Sequence, residues 1–516
     1  KSYRHFHQIL MVIIFISWFR PEINALYLSG SGPFQFTSAV LGSISAHGVS
    51  VSIAAKGAMN VSVAYQVLKS NYVLTDSKNT IKTMDILLGD SGMATVRLEN
   101  LKPATKYSYL VTFSTSVAAN SSKGDIEGIF ETLPSPEDLN ATIRFASSSC
   151  AQRRLVWGKT FSGFELVKRQ NPTFFLFLGD IIYADVPRGL GYSGLGFGKN
   201  DVLYRTEYLT VRSEPNARRL FSNVPTFFQF DDHEIYNDMP GRIFNPEVFD
   251  AAVGNWKTYI GSVNPVIDEY NDTIKYYYFQ AGLGDFFVLD TKTFRNPNKQ
   301  QIVGPRQIKQ LHQWLNNSIA ADPSRFKFII SPVTLTRNRP ERHEGWNCCS
   351  KERNQVLSLL QSEGVINVVF ITGDTHKPGI FELLPNVYEI GVSPIDAFGP
   401  KVWGAGQDRT VYEETGFTTS FATYTLGPRG LKVEIFGGGY HVSIQIAVII
   451  SIFLGFYILI RTLLKDAFAL SPGACFALLS GLLLSLALFA DDLSNSESFH
   501  RPRFAMEVER VIPYKL

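Results

Sequence analysis

Short apolar runs, each ending on or running into a small or acidic residue, recur along the middle of this chain. IRFASSS (143–149), TFFLFLG (173–179), TFFQF (226–230), DFFVLD (285–290), FKFIIS (326–331) and NVVFITG (367–373) each have the length and β-former content of a buried strand. Between them, GPRQIKQLHQWLNNSIA sets Ile308, Leu311 and Leu315 on one face at helical spacing. Strand–helix alternation over residues 141–440 predicts an α/β layered fold. Ligands of such folds gather at the carboxyl ends of the strands.

The flanks read differently. Residues 28–135 predict an all-β unit, with VSVSIAAK, VSVAYQVL and ATVRLENL separated by Gly, Asn and Ser breaks. LENLKPATKYSYLVTF, with Tyr107 and Tyr109 alternating, resembles a fibronectin-type-III strand pair, and Pro134 and Pro136 mark a linker. Beyond 440, VSIQIAVIISIFLGFYILI (442–460) and AFALSPGACFALLSGLLLSLALFA (467–490) carry no charge. Each is long enough to cross a bilayer as a helix, and neither has the polar face of a soluble helical hairpin. Gly437–Gly439 reads as a flexible joint leading to the first of them.

Topology follows from the charges. The link RTLLKD carries Arg461 and Lys465, which favours the cytoplasmic side. Near the start, Ile9–Phe19 is an eleven-residue apolar run suited to a signal-peptide core, with Ala25 as a cleavage point. An uncleaved anchor is the alternative. The expected order is a signal peptide (1–25), an exported body, two membrane helices and a tail (491–516) returned to the side of the body, which is extracellular, periplasmic or lumenal.

Composition narrows the picture little. A net charge of +3 over 516 residues gives no argument for nucleic acid. Four cysteines (150, 348, 349 and 475) make no disulfide framework, and the adjacent Cys348 and Cys349 suggest no function by themselves. The Gly-rich RGLGYSGLGFGK (188–199) lacks the GK[ST] of a nucleotide loop and reads as a loop near the site.

The chemistry sits at the strand ends. IRFASSS stops at Cys150; TFFLFLG precedes Asp180, with Tyr183 three residues on in GDIIY; TFFQF runs into Asp231, Asp232, His233 and Glu234; NVVFITG leads to Asp374 and His376 in GDTH. A lone Asp-His pair is more often a cap or a surface pair than a ligand set. Repeated after several hydrophobic strands, the pattern calls for compensating cations, because burying so many ionisable groups is costly. Carboxylate, imidazole, phenolate and thiolate together suit a transition metal beside a harder ion, and Asp180 is the natural bridge. Asp231 and Glu234 fit capping or supporting roles better than ligation.

GDIIY, DDHE and GDTH, preceded by a strand ending in Cys150, resemble the alkaline phosphatase D (PhoD-like) branch of the calcineurin-type metallophosphoesterases. YRTEY (204–208), VPTFFQFDDHEIYND (224–238), LDTKTFRN (289–296) and Gln310 with WL at 314–315 support the match over roughly 142–440. The resemblance implies a four-layer fold, two packed mixed sheets flanked by helices. It implies Cys150, Asp180 and Tyr183 around an Fe(III)-like ion, and Asp180 bridging to one or more divalent ions, calcium among them. Asp232, Asp374 and His376 are the further ligands, and His233 is proton donor or phosphate contact. Lys292 stands where the branch often has Arg.

The function expected is hydrolysis of phosphate mono- or diesters by attack of a metal-bound hydroxide on phosphorus, with Arg205 and Lys377 as candidate phosphate clamps. A phospholipase D-like diesterase and a non-catalytic membrane-anchored surface protein are the alternatives. The partners expected are a phosphate-ester substrate and, through the two apolar segments, membrane lipid.

Overall fold

The computed structural model describes residues 37–55, 60–68, 82–88, 91–114, 125–152, 161–185, 196–266, 276–337, 345–397, 408–414, 419–438 and 502–509. Seven strands come first: β1 (Thr37–Gly42), β2 (Gly48–Ala55), β3 (Asn60–Val67), β4 (Lys82–Leu87), β5 (Met93–Glu99), β6 (Lys106–Ser114) and β7 (Ile126–Glu131). They form a three-stranded sheet, β1-β2-β5, and a four-stranded sheet, β4-β3-β6-β7. Neighbours in both sheets run antiparallel. The alternation in VSVSIAA buries Val49, Val51 and Ile53, which meet Val61, Val63, Tyr109 and Val111 in one core.

The six apolar runs of the middle region are all strands: β8 (Ile143–Ser148), β9 (Phe174–Phe177), β10 (Thr226–Phe228), β12 (Gly284–Val288), β13 (Phe326–Ser331) and β14 (Val368–Thr372). They belong to two sheets. One has the order β10-β9-β8-β18-β19-β20, with β18 at Thr419–Gly427, β19 at Gly430–Gly438 and β20 at Phe504–Glu509. The other runs β11-β12-β13-β14-β16-β15-β17, adding β11 (Tyr277–Ala281), β15 (Gly379–Leu384), β16 (Val387–Gly391) and β17 (Arg409–Glu413). β8-β9-β10 and β12-β13-β14 are parallel, so their carboxyl ends lie at one end of each sheet.

The sheets pack face to face through Phe145, Phe174, Tyr424, Phe286 and Phe328; the Phe145 ring lies 5.3 Å from Phe286 and 5.4 Å from Phe328, edge-on to both. Helices cover the outer faces. α1 (Ser162–Arg169), α2 (Asp201–Ser213), α3 (Pro215–Phe221) and α4 (Pro246–Tyr259) share a core with Phe175, Phe177 and Phe228 on the first sheet. α5 (Gly304–Ala321) and α6 (Ser350–Ser362) do the same with Phe287, Ile329 and Phe370 on the second. The predicted stripe of α5 is buried at Ile308, Leu311 and Leu315. The result is a helix–sheet–sheet–helix stack, the layered α/β arrangement expected from the alternation.

Arg212 of α2 joins this stack to the strands before it. Wholly buried, it donates to Ser38 Oγ (2.9 Å), to the Ser52 carbonyl (2.8 Å) and Oγ (3.1 Å), and to the Tyr259 carbonyl (2.6 Å). Burial without a carboxylate partner pulls its pKa down to about 9.

Two expectations change here. Gly437 and Gly438 complete β19, paired with Ser420 and Thr419, because the partner strand supplies bonds that a glycine run does not advertise. The charged tail returns as β20, antiparallel to β19 from Phe504 opposite Ile435 to Glu509 opposite Gly430. The signal segment (1–25) and the apolar segments 442–460 and 467–490 lie outside the described residues. Among the described residues no helix is long and apolar enough to cross a membrane.

Candidate metal centre

Each predicted metal ligand lies a few residues past the end of a strand, and the backbone there is unusual. Cys150, Asp180, Asp374 and His376 all have left-handed φ, at 62°, 59°, 61° and 50°. For residues with a Cβ this costs about 1–3 kcal/mol each, and it persists only where surroundings enforce it. The enforcement is visible. Cys150 N–H donates to the Gly179 carbonyl (3.1 Å) and Ala151 N–H to the Asp180 carbonyl (2.9 Å). Asp374 N–H donates to Ser149 Oγ (3.1 Å), and His376 N–H to Ser393 Oγ (2.6 Å).

The glycine of each GD pair has a steric reason. A Cβ on Gly179, itself at φ 99°, would stand 2.4 Å from Asp231 Cβ. One on Gly373 would stand 2.7 Å from Ser149 Oγ. Both glycines let neighbouring strand ends close on one another.

Glu234 performs the same task with charge. Its buried carboxylate accepts Asp180 N–H (3.1 Å), Ile181 N–H (2.8 Å) and Asp231 N–H (2.9 Å), tying the ends of β9 and β10 together. This is the supporting role expected of it. Burial pushes its pKa up to about 7 against the pull of those three bonds, with Asp232 adding repulsion.

The segments converge. Oxygen or nitrogen atoms of Asp180, Asp232 and His233 lie within 4.8 Å of one another, as do those of Asp180, Asp231 and Asp374. Asp180 belongs to both groups, the position a bridging carboxylate needs. Cys150 Sγ is 3.4 Å from Asp180 Oδ2, and Tyr183 Oη is 3.4 Å from His376 Nε2. The Tyr183 and His233 rings are 4.2 Å apart. Thus Cys150, Asp180, Tyr183, Asp232, His233, Asp374 and His376 form one chain of contacts. Asp231 enters as well, closer in than its expected supporting role.

The electrostatics ask for cations. Asp180, Asp231, Asp232, Glu234 and Asp374 are all buried. Burial first, then Asp232, Asp231 and Glu234, drive the Asp180 pKa well up, with His233 opposing them. Burial, then Cys150, Asp180 and Asp232, also drive the Tyr183 phenol well up. Lys292, wholly buried, meets Asp231 Oδ1 at 2.9 Å. One lysine cannot balance so many acids, so this donor set fits bound metal ions.

Asp185 has no counterpart in the sequence reading. Its Oδ1 accepts His233 Nδ1 at 2.8 Å and its Oδ2 accepts Asn237 N–H at 2.8 Å. Burial opposes charge on His233, but Asp232, Asp180 and this bond outweigh it and lift the imidazole to about 10. The only sequence hint was an Asp two residues past Tyr183.

The PhoD-like phosphatase family model matches residues 145–403. The chain belongs to the PhoD-like phosphatase family. Alkaline phosphatase D of Bacillus subtilis (strain 168) is 22% identical over 284 residues, 48% of this chain and 48% of that protein. The chain thus spans about half the length of the curated relative it matches. The solved structure of PhoD superposes with a TM-score of 0.64 at 16% identity, over 78% of this chain and 87% of that one. The purple acid phosphatase PPD1 of yellow lupin (Lupinus luteus) gives 0.52 at 12% identity, over 78% and 71%. At these identities the structural likeness speaks for the fold.

Within this PhoD-like frame the two expected phosphate clamps lie elsewhere or are engaged. The Arg205 guanidinium, on α2, comes within 3.8 Å of where a Gly92 Cβ would stand and is felt by Tyr259, so it faces the N-terminal strands. A positive charge on a helix does not say which side of the helix the site is on. Lys377 is nine-tenths buried, and its Nζ is held by Glu413 at 2.6 Å.

Proposed function

We propose that this chain hydrolyses phosphate mono- or diesters at the centre around Asp180. The observation that supports this most is the meeting of two carboxylate groups at Asp180, among buried acids short of positive charge. Cys150, Asp180 and Tyr183 would hold one ion, and Asp232, Asp374 and His376, with Asp180 shared, the other or others. An Fe(III) ion with calcium is the pair in view. Bound, such ions supply positive charge for the non-bridging phosphate oxygens and a water acidic enough to attack near neutrality.

The protein's part is proton handling and positioning. With Asp185 accepting from Nδ1, the His233 imidazolium keeps Nε2–H for the leaving oxygen. As the ester P–O bond breaks, that proton passes to the alcohol and leaves a neutral imidazole. Lys292 fixes Asp231, and Glu234 keeps the Asp180 turn from relaxing. The test is turnover of a mono- and diester panel by purified protein, before and after chelation and for Asp180→Asn. Full activity and metal content in that variant would sink the scheme.

We further propose a fibronectin-III-like class for the N-terminal sandwich, and an extracytoplasmic face for the centre, held at a membrane by 442–460 and 467–490. β20 supports a return across the membrane: the strands that flank the two apolar segments pair in one sheet, so both lie on the same side of any bilayer those segments cross. Protease protection in sealed vesicles tests it; a β20 tag and a body tag on opposite sides would overturn it.

A further inference from the structure

We propose that Cys348 and Cys349 form a redox-active vicinal dithiol, in which Arg295 holds Cys348 as the attacking sulfur and Cys349 resolves. The inference is independent of the hydrolytic reading, since neither sulfur belongs to the metal centre.

The geometry is specific. The two cysteines end a short 3-10 turn, Trp346–Cys349, just before α6. Their sulfurs stand 2.7 Å apart, too far for a disulfide bond and inside the ordinary contact distance of two sulfur atoms, so the pair is placed to bond. Cys349 is wholly buried, with the Gln301 carbonyl 3.6 Å from its sulfur, whereas Cys348 is partly exposed. The reachable sulfur and the resolving sulfur are therefore different atoms with different access.

Arg295 supplies the second, independent observation. Its side chain is 3% exposed, and its Nη2 donates to Cys348 Sγ at 3.1 Å. Its Nε and Nη1 are buried and find no acceptor among the described residues. A guanidinium stays charged in a protein, and burying it without an anion is costly. A thiolate at Cys348 supplies the missing charge. The groups around that sulfur agree: the Cys349 hydrogen bond, opposed by burial and aided by Arg295 and Lys292, brings the Cys348 thiol down to about 7. The same bond, with burial, pushes Cys349 up, and Glu352 adds repulsion there. A low-pKa sulfur beside a protonated partner is the arrangement of an attacking and a resolving thiol.

The co-reactant is a low-molecular-weight disulfide. The Cys348 thiolate attacks one of its sulfurs, forming a mixed disulfide and expelling a thiolate. Cys349 then gives its proton to that leaving thiolate and attacks Cys348 Sγ, expelling the second thiolate, which takes back from solvent the proton that Cys348 had released. Two protein thiols are oxidised to one disulfide, and one external disulfide is reduced to two thiols. Adjacent Cα atoms are about 3.8 Å apart, below the usual disulfide range, so the product is strained and readily reduced. The loop bearing Arg295 also bears Lys292, the partner of Asp231, which ties this pair to the metal centre through one short segment.

The experiment starts from full-length protein reduced with dithiothreitol and then exposed to glutathione disulfide. Peptide mass spectrometry is expected to find the Cys348–Cys349 peptide lighter by two hydrogens, and dithiothreitol to restore it. Cys349→Ser should trap one glutathionyl group on Cys348. Cys348→Ser should modify Cys349 roughly tenfold more slowly, and Arg295→Met on the Cys349→Ser background should slow trapping by a similar factor. Persistence of both thiols while the cysteine of an added control peptide is oxidised, or equal rates at the two sulfurs, overturns the proposal. Should Arg295→Met fail to fold, the wild-type mass change and the two serine variants decide the matter alone.

Discussion

His233 Nδ1 and Asp185 Oδ1 are 2.8 Å apart, and Asp185 is pinned in turn by the Asn237 N–H at 2.8 Å. The carboxylate both aims the ring and favours its protonated form. Asp185→Asn removes the charge and keeps the shape. Its kcat on a phosphodiester should fall about 10–100-fold, with metal content unchanged and the alkaline limb of the pH profile moved down. An unaltered pH profile would leave Asp185 with a merely structural role.

Asp180 lies in both carboxylate groups of the centre. Asp180→Asn is expected to lose bound metal and at least 100-fold in turnover. A chelator should inactivate the wild-type protein in the same way, with recovery when iron and calcium are returned. Elemental analysis of the two proteins side by side is the measurement.

Glu234 holds three backbone N–H groups. Glu234→Ala leaves those donors buried without a partner, each at a cost of about 1–3 kcal/mol. A stability loss of several kcal/mol should appear as a lower denaturant midpoint with the slope unchanged. Glu234→Gln, which keeps an acceptor but not the charge, should lose less.

In metal-stripped protein the sign of the His233 shift sets a pH dependence. The folded value, about 10, lies above the unfolded 6.5. Its stabilisation is therefore complete below pH 6.5 and declines as pH rises towards 10. The thermal midpoints of wild type and His233→Gln should differ most near pH 6 and converge by pH 10. A gap that widens with rising pH contradicts the assignment.

The strands were readable because a run such as TFFLFLG is apolar throughout and stops abruptly. Asp180, Asp232 and Asp374 were readable because each follows such a run with almost no intervening chain. What escaped depends on contacts between distant segments. Asp185 belongs to a loop, and its role exists only because His233, 48 positions on, turns towards it. Lys292 reads as an ordinary cation until its burial against Asp231 is seen. Arg205 lies towards the N-terminal strands, which charge alone does not foretell because it says nothing about the direction a helix faces. FAMEVE, short and acidic, resembles a tail and becomes a strand only beside β19.

That last pairing has a consequence for biosynthesis. β19 ends at Gly438 and its outer neighbour begins only at Phe504. While the ribosome makes the intervening stretch, one margin of the sheet stands bare, its backbone groups unsatisfied and open to strangers. The sheet is thus closed only once Phe504–Glu509 has been made, and a chain cut short before that point carries an adhesive seam.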